Sequence, residues 1–377
     1  MLNLKLGVDF HADKSFQTTA TAQINSHTFL IDLLKKNISN VLDKLIPHYS
    51  NVALLDFPNN PNVGDSLIWL GEIAYLKSRH ISIQYVCDSK NYDAYQLRQV
   101  LDTKTIILIH GGGNFGTLWP EEQAFREQVL LDFANTPCIQ LPQSIYFDNK
   151  EATTRAAKII NAHNNYTILT RDKASYEFVL KSFKSTVYMC PDMAFFMKPQ
   201  IKSSLPVNDC LVLARHDHER SSEWAISLPA KMHGISYQIC DWLNASFIEK
   251  IIYKIETHSV VLRLVVDKNN LILMWLWNQL ATLRLKRGAA LLERGQIVLT
   301  DRLHAHILCL LLDIPHLVVD NANKKISAFY QVWTKSYINV RFINDDDCVV
   351  NEIKKTKNSI LFSKTTCSAI VSMDNFC

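Results

Sequence analysis

The chain has 377 residues, 48% of them hydrophobic and 20% charged, with 40 Lys and Arg against 36 Asp and Glu. That length is too great for one ordinary core and predicts two domains of roughly 150–200 residues each, while the balanced composition excludes a disordered chain. A net charge of only +4, with no Lys/Arg block or RNA-binding signature, argues against a nucleic-acid partner. The nine cysteines are scattered and form no CxxC pair, which argues against a zinc site and fits a reducing compartment. Residues 1–25 lack a signal-peptide layout, and no run of about 18 apolar residues occurs. A soluble, cytoplasmic protein is expected.

Taken in chain order, apolar residues from Ser26 to Ile46 recur at helical spacing and predict an amphipathic helix. A strand over Asn51–Phe57 is followed by the loop Pro58 to Asp65 and a helix from Ser66 to about Ser78, capped by Asp65 or Ser66. Further strands are predicted at Ile81–Cys87, Thr105–His110, Thr136–Leu141, Tyr166–Thr170 and Thr186–Cys190. Helices over Glu121–Ala134, Glu151–Ala162 and Asp172–Ser182 separate them. The polar, proline-bearing stretch Pro199–Asn208 is the best linker candidate. A second series follows, with strands at Cys210–Ala214, Ser236–Cys240, Gln296–Thr300 and His316–Val319 and a long helix over Asn269–Glu293. Strands alternating with helices predict parallel α/β sheets. The expected architecture is therefore GT-B-like: two Rossmann-like, doubly wound domains facing a cleft. Residues 1–200 and 209–345 form the domains, and residues 346–377 a helical tail. Ligands are expected in the cleft.

Chemistry-bearing residues fall at the strand ends. Asp301-Arg302-Leu303-His304-Ala305-His306 packs a fixed cation and titratable imidazoles into a strand-to-helix turn, which suits an anionic substrate that must also exchange a proton. The alternative is a basic first turn whose histidines meet backbone carbonyls. Gly111-Gly112-Gly113-Asn114 follows a strand directly, so its backbone can approach a ligand closely. It is neither a dinucleotide fingerprint nor a P-loop; a tight turn without a ligand is the alternative, and three consecutive glycines in a chain with only ten favour the functional reading. Asn62 and Asp65 can meet sugar hydroxyls, although capping alone is the favoured role for Asp65. Gln143 and Ser144 can orient a polyol or form a turn. Arg171 either grips a carboxylate or phosphate or pairs with Asp172 or Asp192. Arg215 ends a strand, and the His216/Asp217/His218 cluster beyond it is a weak metal candidate for want of a further ligand. Lys325 can reach the Arg302/His304 turn as a point charge, whereas Lys324 reads as a solvated amine. The Trp275/Trp277 stretch reads as a buried helix in preference to a membrane-surface face.

Several of these segments resemble the polysaccharide pyruvyl transferase family, in the family's order, over roughly residues 50–335. They are Asn62-Val63-Gly64-Asp65, Gly111 to Asn114, Leu141 to Ile145, Thr170-Arg171-Asp172, Cys190-Pro191-Asp192, Asp301 to His304 and Asn321 to Ile326. The resemblance implies transfer of the enolpyruvyl unit of phosphoenolpyruvate onto sugar hydroxyls, giving a pyruvate ketal and phosphate. It implies His304 and Arg302 as catalytic residues, with Arg302, Lys325 and Arg215 holding the donor. His216 and His218 crowd the loop after Arg215, an unusual departure. On the N-terminal side Asn62, Asp65, Gly112, Gly113, Asn114, Ser144 and Arg171 would hold the acceptor, a glycan or lipid-linked oligosaccharide. No metal and no cofactor is expected, with phosphoenolpyruvate as co-substrate, and peripheral membrane association fits such an acceptor. The alternatives are a nucleotide-sugar glycosyltransferase on the same scaffold, for which no carboxylate is clearly placed for a ribose, and a non-catalytic glycan-binding protein. No motif speaks to the oligomeric state.

Overall fold

The computed structural model describes residues 23–215, 234–258, 270–344 and 349–359. Two fully parallel sheets organise the molecule. The first contains β1 (Asn51–Leu55), β2 (Ser82–Cys87), β3 (Ile106–Ile109), β4 (Gly112–Gly116), β5 (Cys138–Tyr146), β6 (Tyr166–Thr170) and β7 (Thr186–Met189). Its order is β2-β1-β3-β5-β6-β7, with β4 pairing the far half of β5. The second contains β8 (Asn208–Leu213), β9 (Tyr237–Cys240), β10 (Gly295–Thr300), β11 (His316–Val318) and β12 (Val340–Phe342), ordered β12-β11-β10-β8-β9. Near-continuous apolar strands such as Ile106–Ile109 and Val298–Thr300 are buried on both faces, as parallel sheets require. This is the GT-B-like arrangement of two α/β halves.

Helices α1 (His27–Leu45), α2 (Val63–Ser78), α3 (Ala94–Val100), α4 (Pro120–Asp132), α5 (Lys150–Ala162) and α6 (Lys173–Ser182) belong to the first half of the chain. Helices α7 (Phe247–His258), α8 (Leu271–Leu292), α9 (Leu303–Leu311) and α10 (Lys325–Trp333), with α11 over 349–359, belong to the second. One face of the first sheet is covered by a core that includes Leu97, Phe125, Ile160 and Val179 from α3 to α6. Its other face merges with the second sheet in a single larger core, where α2 lies against α8, α9 and a short 3-10 turn at Met193–Phe196. Trp277 of α8 is buried there and stacks on Phe57 with ring centroids 4.3 Å apart. Trp275, one residue pair away on the same helix, is 59% exposed. The N-terminal helix also spans both halves, since α1 packs on α9 and Ile24 bridges Tyr337.

Three local outcomes depart from the pattern expected from sequence. β1 stops at Leu55 because Asp56 takes a left-handed backbone (φ 72°) and turns the chain. Helix α2 begins a turn earlier than its apolar pattern suggests: Asn62, and neither Asp65 nor Ser66, is the cap, its Oδ1 accepting from Gly64 N at 3.0 Å. Asp65 sits instead in the first turn, where its charge favours the helix dipole. The glycine run does not end in a turn; it carries the chain through Gly112 (φ 132°) directly into β4.

Candidate active site

The strand ends of both sheets converge on one group of side chains. Arg171 follows β6 and is buried, as is Asp192 after β7, and the two form an ion pair. Arg171 Nε also donates to Ser144 Oγ at 2.9 Å, at the end of β5. From the other half, His304 in the first turn of α9 brings Nε2 to 3.3 Å from both Arg171 Nη1 and Asp192 Oδ2. Burial alone would push the Asp192 carboxyl up, but His304 and Arg171 outweigh it and hold it well below the usual carboxylate range. It is therefore a fixed anion that orients both the guanidinium and the imidazole. Lys325 Nζ reaches across from α10 to donate to Gly113 O at 3.4 Å. A side chain at Gly113 would meet Lys325 Nζ at 3.2 Å and Arg171 Nη2 at 3.3 Å. The absence of a side chain there leaves the two cations facing a bare backbone.

Packing fixes the imidazole. A Cβ on Gly64 would lie 2.5 Å from His304 Nδ1, so the first turn of α2 closes directly on the ring. The loop before α2 is held in turn from the second half: Arg284 Nη1 donates to Pro58 O at 3.2 Å and Arg287 Nη2 to Pro61 O at 2.7 Å. Beyond it, Asn60 and Asn62 each donate to Asp65 Oδ2 at 3.1 Å.

Beneath the glycine strand lies a buried polar layer. Asn114 donates to Asp56 Oδ2 at 3.1 Å and accepts from Arg126 and Gln143 at 2.9 and 2.7 Å. Burial pushes the Asp56 carboxyl up to about 6, against the pull of Arg126 and His110. Glu72 of α2 accepts from Gly111 N at 2.9 Å and pairs with His110 Nδ1 at 2.8 Å. Burial would lower the His110 imidazole, yet the Glu72 charge and hydrogen bond leave it above its ordinary value.

The structure thus brings His304, Lys325, Arg171, Ser144 and Gly113 together, with Gly112 and Asn114 in the strand beside them and Asn62 and Asp65 at the head of α2. Arg302 turns to the second sheet, where Nη2 donates to Asp241 Oδ2 at 2.8 Å. Arg215 donates its backbone N–H to Asp301 Oδ1 at 3.0 Å. The cluster His216/Asp217/His218 lies outside the described residues. His306 is separate from the site: it is fully buried, with Nδ1 2.7 Å from His316 Nε2 and Nε2 2.9 Å from Thr334 Oγ1. Sequence reasoning did not single out Glu72, Asp56 or Asp241. Asp192 stands out in the sequence as one possible mate for Arg171 and in the Cys190-Pro191-Asp192 segment of the resemblance, but without a role at the site.

Two doubly wound sheets whose strand ends meet at a carboxylate-held histidine flanked by cations define a transferase scaffold of the GT-B-like kind. The chain belongs to the polysaccharide pyruvyl transferase family, whose model matches residues 62–323. It is 33% identical to pyruvyl transferase 1 of Schizosaccharomyces pombe over 310 residues, covering 78% of this chain and 73% of that one. It is also 33% identical to EpsO of Bacillus subtilis, over 82% of this chain and 93% of the relative. A solved structure of an uncharacterised Klebsiella pneumoniae protein shares the fold, at 18% identity with a TM-score of 0.50, over 82% of this chain and 98% of that one.

Proposed function

We propose that this protein transfers the enolpyruvyl unit of phosphoenolpyruvate to two hydroxyls of a surface polysaccharide or its lipid-linked precursor, leaving a pyruvate ketal and phosphate. The observation that carries this reading is His304 Nε2 set between Asp192 and Arg171, beside Lys325, over the bare backbone of Gly113. Phosphoenolpyruvate carries a carboxylate and a phosphate, which call for fixed forks and a point charge. Arg171 and Lys325 supply these, while Arg302 and Arg215, expected as donor groups from the resemblance, are held by Asp241 and Asp301 in the second half. Among the residues assigned to the acceptor from sequence, Arg171 fits the donor side better, since it touches His304 directly. Asn62, Asp65, Asn114 and Ser144 remain for the sugar. Residues 1–200 and 209–345 act as acceptor and donor domains, and of the tail expected from 346 onward the helix over 349–359 packs into the core of the second half through Ile353.

His304 donates its proton to the methylene carbon, and C2 becomes the electrophile for the first hydroxyl. Phosphate leaves with help from the cations, and the second hydroxyl closes the ketal. Of the two hydroxyl protons released, one departs on phosphate and the other restores His304. Purified protein should release phosphate from phosphoenolpyruvate only when an acceptor glycoside is present. His304→Ala should lower that rate by on the order of 10²–10⁴-fold. Failure of the wild type to consume phosphoenolpyruvate with any galactosyl, glucosyl or mannosyl acceptor would falsify the reading. Selective thermal stabilisation by a nucleotide sugar would favour a glycosyltransferase instead.

The same reading extends to peripheral contact with a membrane carrying the acceptor. Among the described residues no helix is long and apolar enough to cross a bilayer. Phe247 and Ile248 at the start of α7, and Leu271, Ile272 and Trp275 at the start of α8, are nevertheless exposed. The contact between α7 and α8 supports treating them as one surface.

A further inference from the structure

A cavity of about 290 Å³ opens beside Lys325 and Ser144, between the end of β5, the start of α6 and one face of α10. We propose that it is a subsite for a neutral hexose residue of the acceptor, built from both halves of the molecule. This assignment rests on the pyruvyl-transfer reading above, which gives Ser144 to the acceptor and Lys325 to the donor and leaves the rest of the cavity's lining without a role. Its volume is near the lower end of small-molecule sites, which begin at about 300 Å³, and suits a single sugar ring.

The lining has the chemistry that a pyranose needs. Tyr146, 38% exposed, offers an aromatic surface for the apolar face of the ring and a hydroxyl for its edge. Asp172 is 4% exposed, and its Oδ1 is already engaged, accepting from Ser175 N at 2.8 Å to cap α6. Its Oδ2 is buried with no hydrogen-bond partner. A buried carboxylate oxygen left unpaired is costly, and a ligand hydroxyl would satisfy it. Ser144 Oγ accepts from Arg171 Nε, so its own hydrogen is available to a ligand oxygen. Asn323 and Gln331 add amides from the opposite wall.

Lys324 and Lys325 also line the cavity, so the case for a neutral ligand rests on the groups around them. The start of α10 would normally attract one, but Lys325 N already donates to Asn321 Oδ1 and Ser327 N to Asp320 Oδ1. A phosphate or carboxylate would also face Asp172 Oδ2. A sugar here would instead present its hydroxyls toward Lys325 and Arg171, where the enolpyruvyl unit is expected.

The test compares Tyr146→Ala, Tyr146→Phe and Asp172→Asn with the wild-type full-length protein. The probes are p-nitrophenyl galactosides, glucosides and mannosides, with phosphoenolpyruvate as donor. Asparagine retains the helix cap while replacing the free acceptor oxygen by a donor. Tyr146→Ala and Asp172→Asn should each raise the KM for the accepted hexoside about tenfold. The KM for phosphoenolpyruvate should stay within about twofold, and Tyr146→Phe should recover most of the loss. Thermal stabilisation by phosphoenolpyruvate in every variant establishes that the fold and the donor site are intact. Unchanged hexoside KM values, or a rise confined to phosphoenolpyruvate, would overturn the subsite and leave pyruvyl transfer standing. Binding of phosphoenolpyruvate without turnover of any hexoside would overturn both the subsite and the pyruvyl-transfer reading beneath it. A wild type that neither binds nor consumes phosphoenolpyruvate would instead remove the reading on which the subsite rests.

Discussion

Arg171 meets a hydroxyl, a carboxylate and an imidazole at once, which a planar fork can do and a single ammonium cannot. Replacing it with Lys keeps the charge beside Asp192 but loses the simultaneous bonds to Ser144 and toward His304. We expect Arg171→Lys to lower kcat/KM for phosphoenolpyruvate by on the order of a hundredfold with the fold retained. Steady-state phosphate release and a urea unfolding curve measure the two effects separately. Activity within about threefold of wild type would show that charge alone suffices there. This convergence was only half legible in the sequence. Arg171, His304 and Lys325 could each be placed at a strand end from local pattern. Asp192 was among the mates offered for Arg171, but the contacts between the halves could not be read, because 133 residues separate Arg171 from His304 and 212 separate Gly113 from Lys325, and spacing along a chain does not encode such contacts.

At the level of elements, long apolar strands and well-capped helices were readable because their signals are local. Asp172 caps α6 where the pattern placed it, and the strands of the second sheet fall where apolar runs meet turn residues. The glycine run misled because three glycines also permit extended backbone, and pairing with β5 decides the outcome. β12 is only three residues long and carries too little pattern to detect. A different element-scale consequence concerns the pair that joins α9 to β11. His316 Nδ1 lies 2.7 Å from Ile314 O and must donate to it, so Nε2 accepts from His306, whose own Nε2 then accepts from Thr334. This is the pattern two neutral rings form, and burial of both disfavours a charge on either. Burial lowers His316 to about 4 and puts His306 well below its ordinary value, with His316 adding to that effect. Since the unfolded chain protonates first, stability is present above about pH 6.5 and is lost as pH falls from there toward about 4. For His316 alone the loss is on the order of 3 kcal/mol. Urea midpoints measured from about pH 7.5 to about pH 4.5 should fall accordingly, and His316→Gln should flatten the slope. A wild-type midpoint that stays constant down to about pH 5 would contradict a neutral pair.

Across the whole molecule, the two halves share one core, and their joint is also where the side chains of the site meet. The exposed start of α8 lies on the same helix that secures the β1–α2 loop through Arg284 and Arg287. A membrane contact at Trp275 would therefore set the molecule against its acceptor by one rigid element. Wild-type protein should co-sediment with anionic phospholipid vesicles, and Trp275→Ser should reduce the bound fraction several-fold. Equal binding by the two proteins would exclude this surface as the contact.

The closeness of Gly64 to His304 has an evolutionary consequence. Most features of a substrate site can drift, because one side chain is exchanged for another and its neighbours adjust. Here the His304 imidazole rests against a place where no side chain exists, with 2.5 Å between a hypothetical Cβ and the ring, and a contact of that kind has no conservative substitute. The same end of α2 carries Asn62 and Asp65, which the proposed function gives to the variable partner of the reaction. Descendants of this scaffold can thus change which sugar they accept by altering those polar residues and the surrounding loops, while the aim of the acid is inherited unchanged from the backbone.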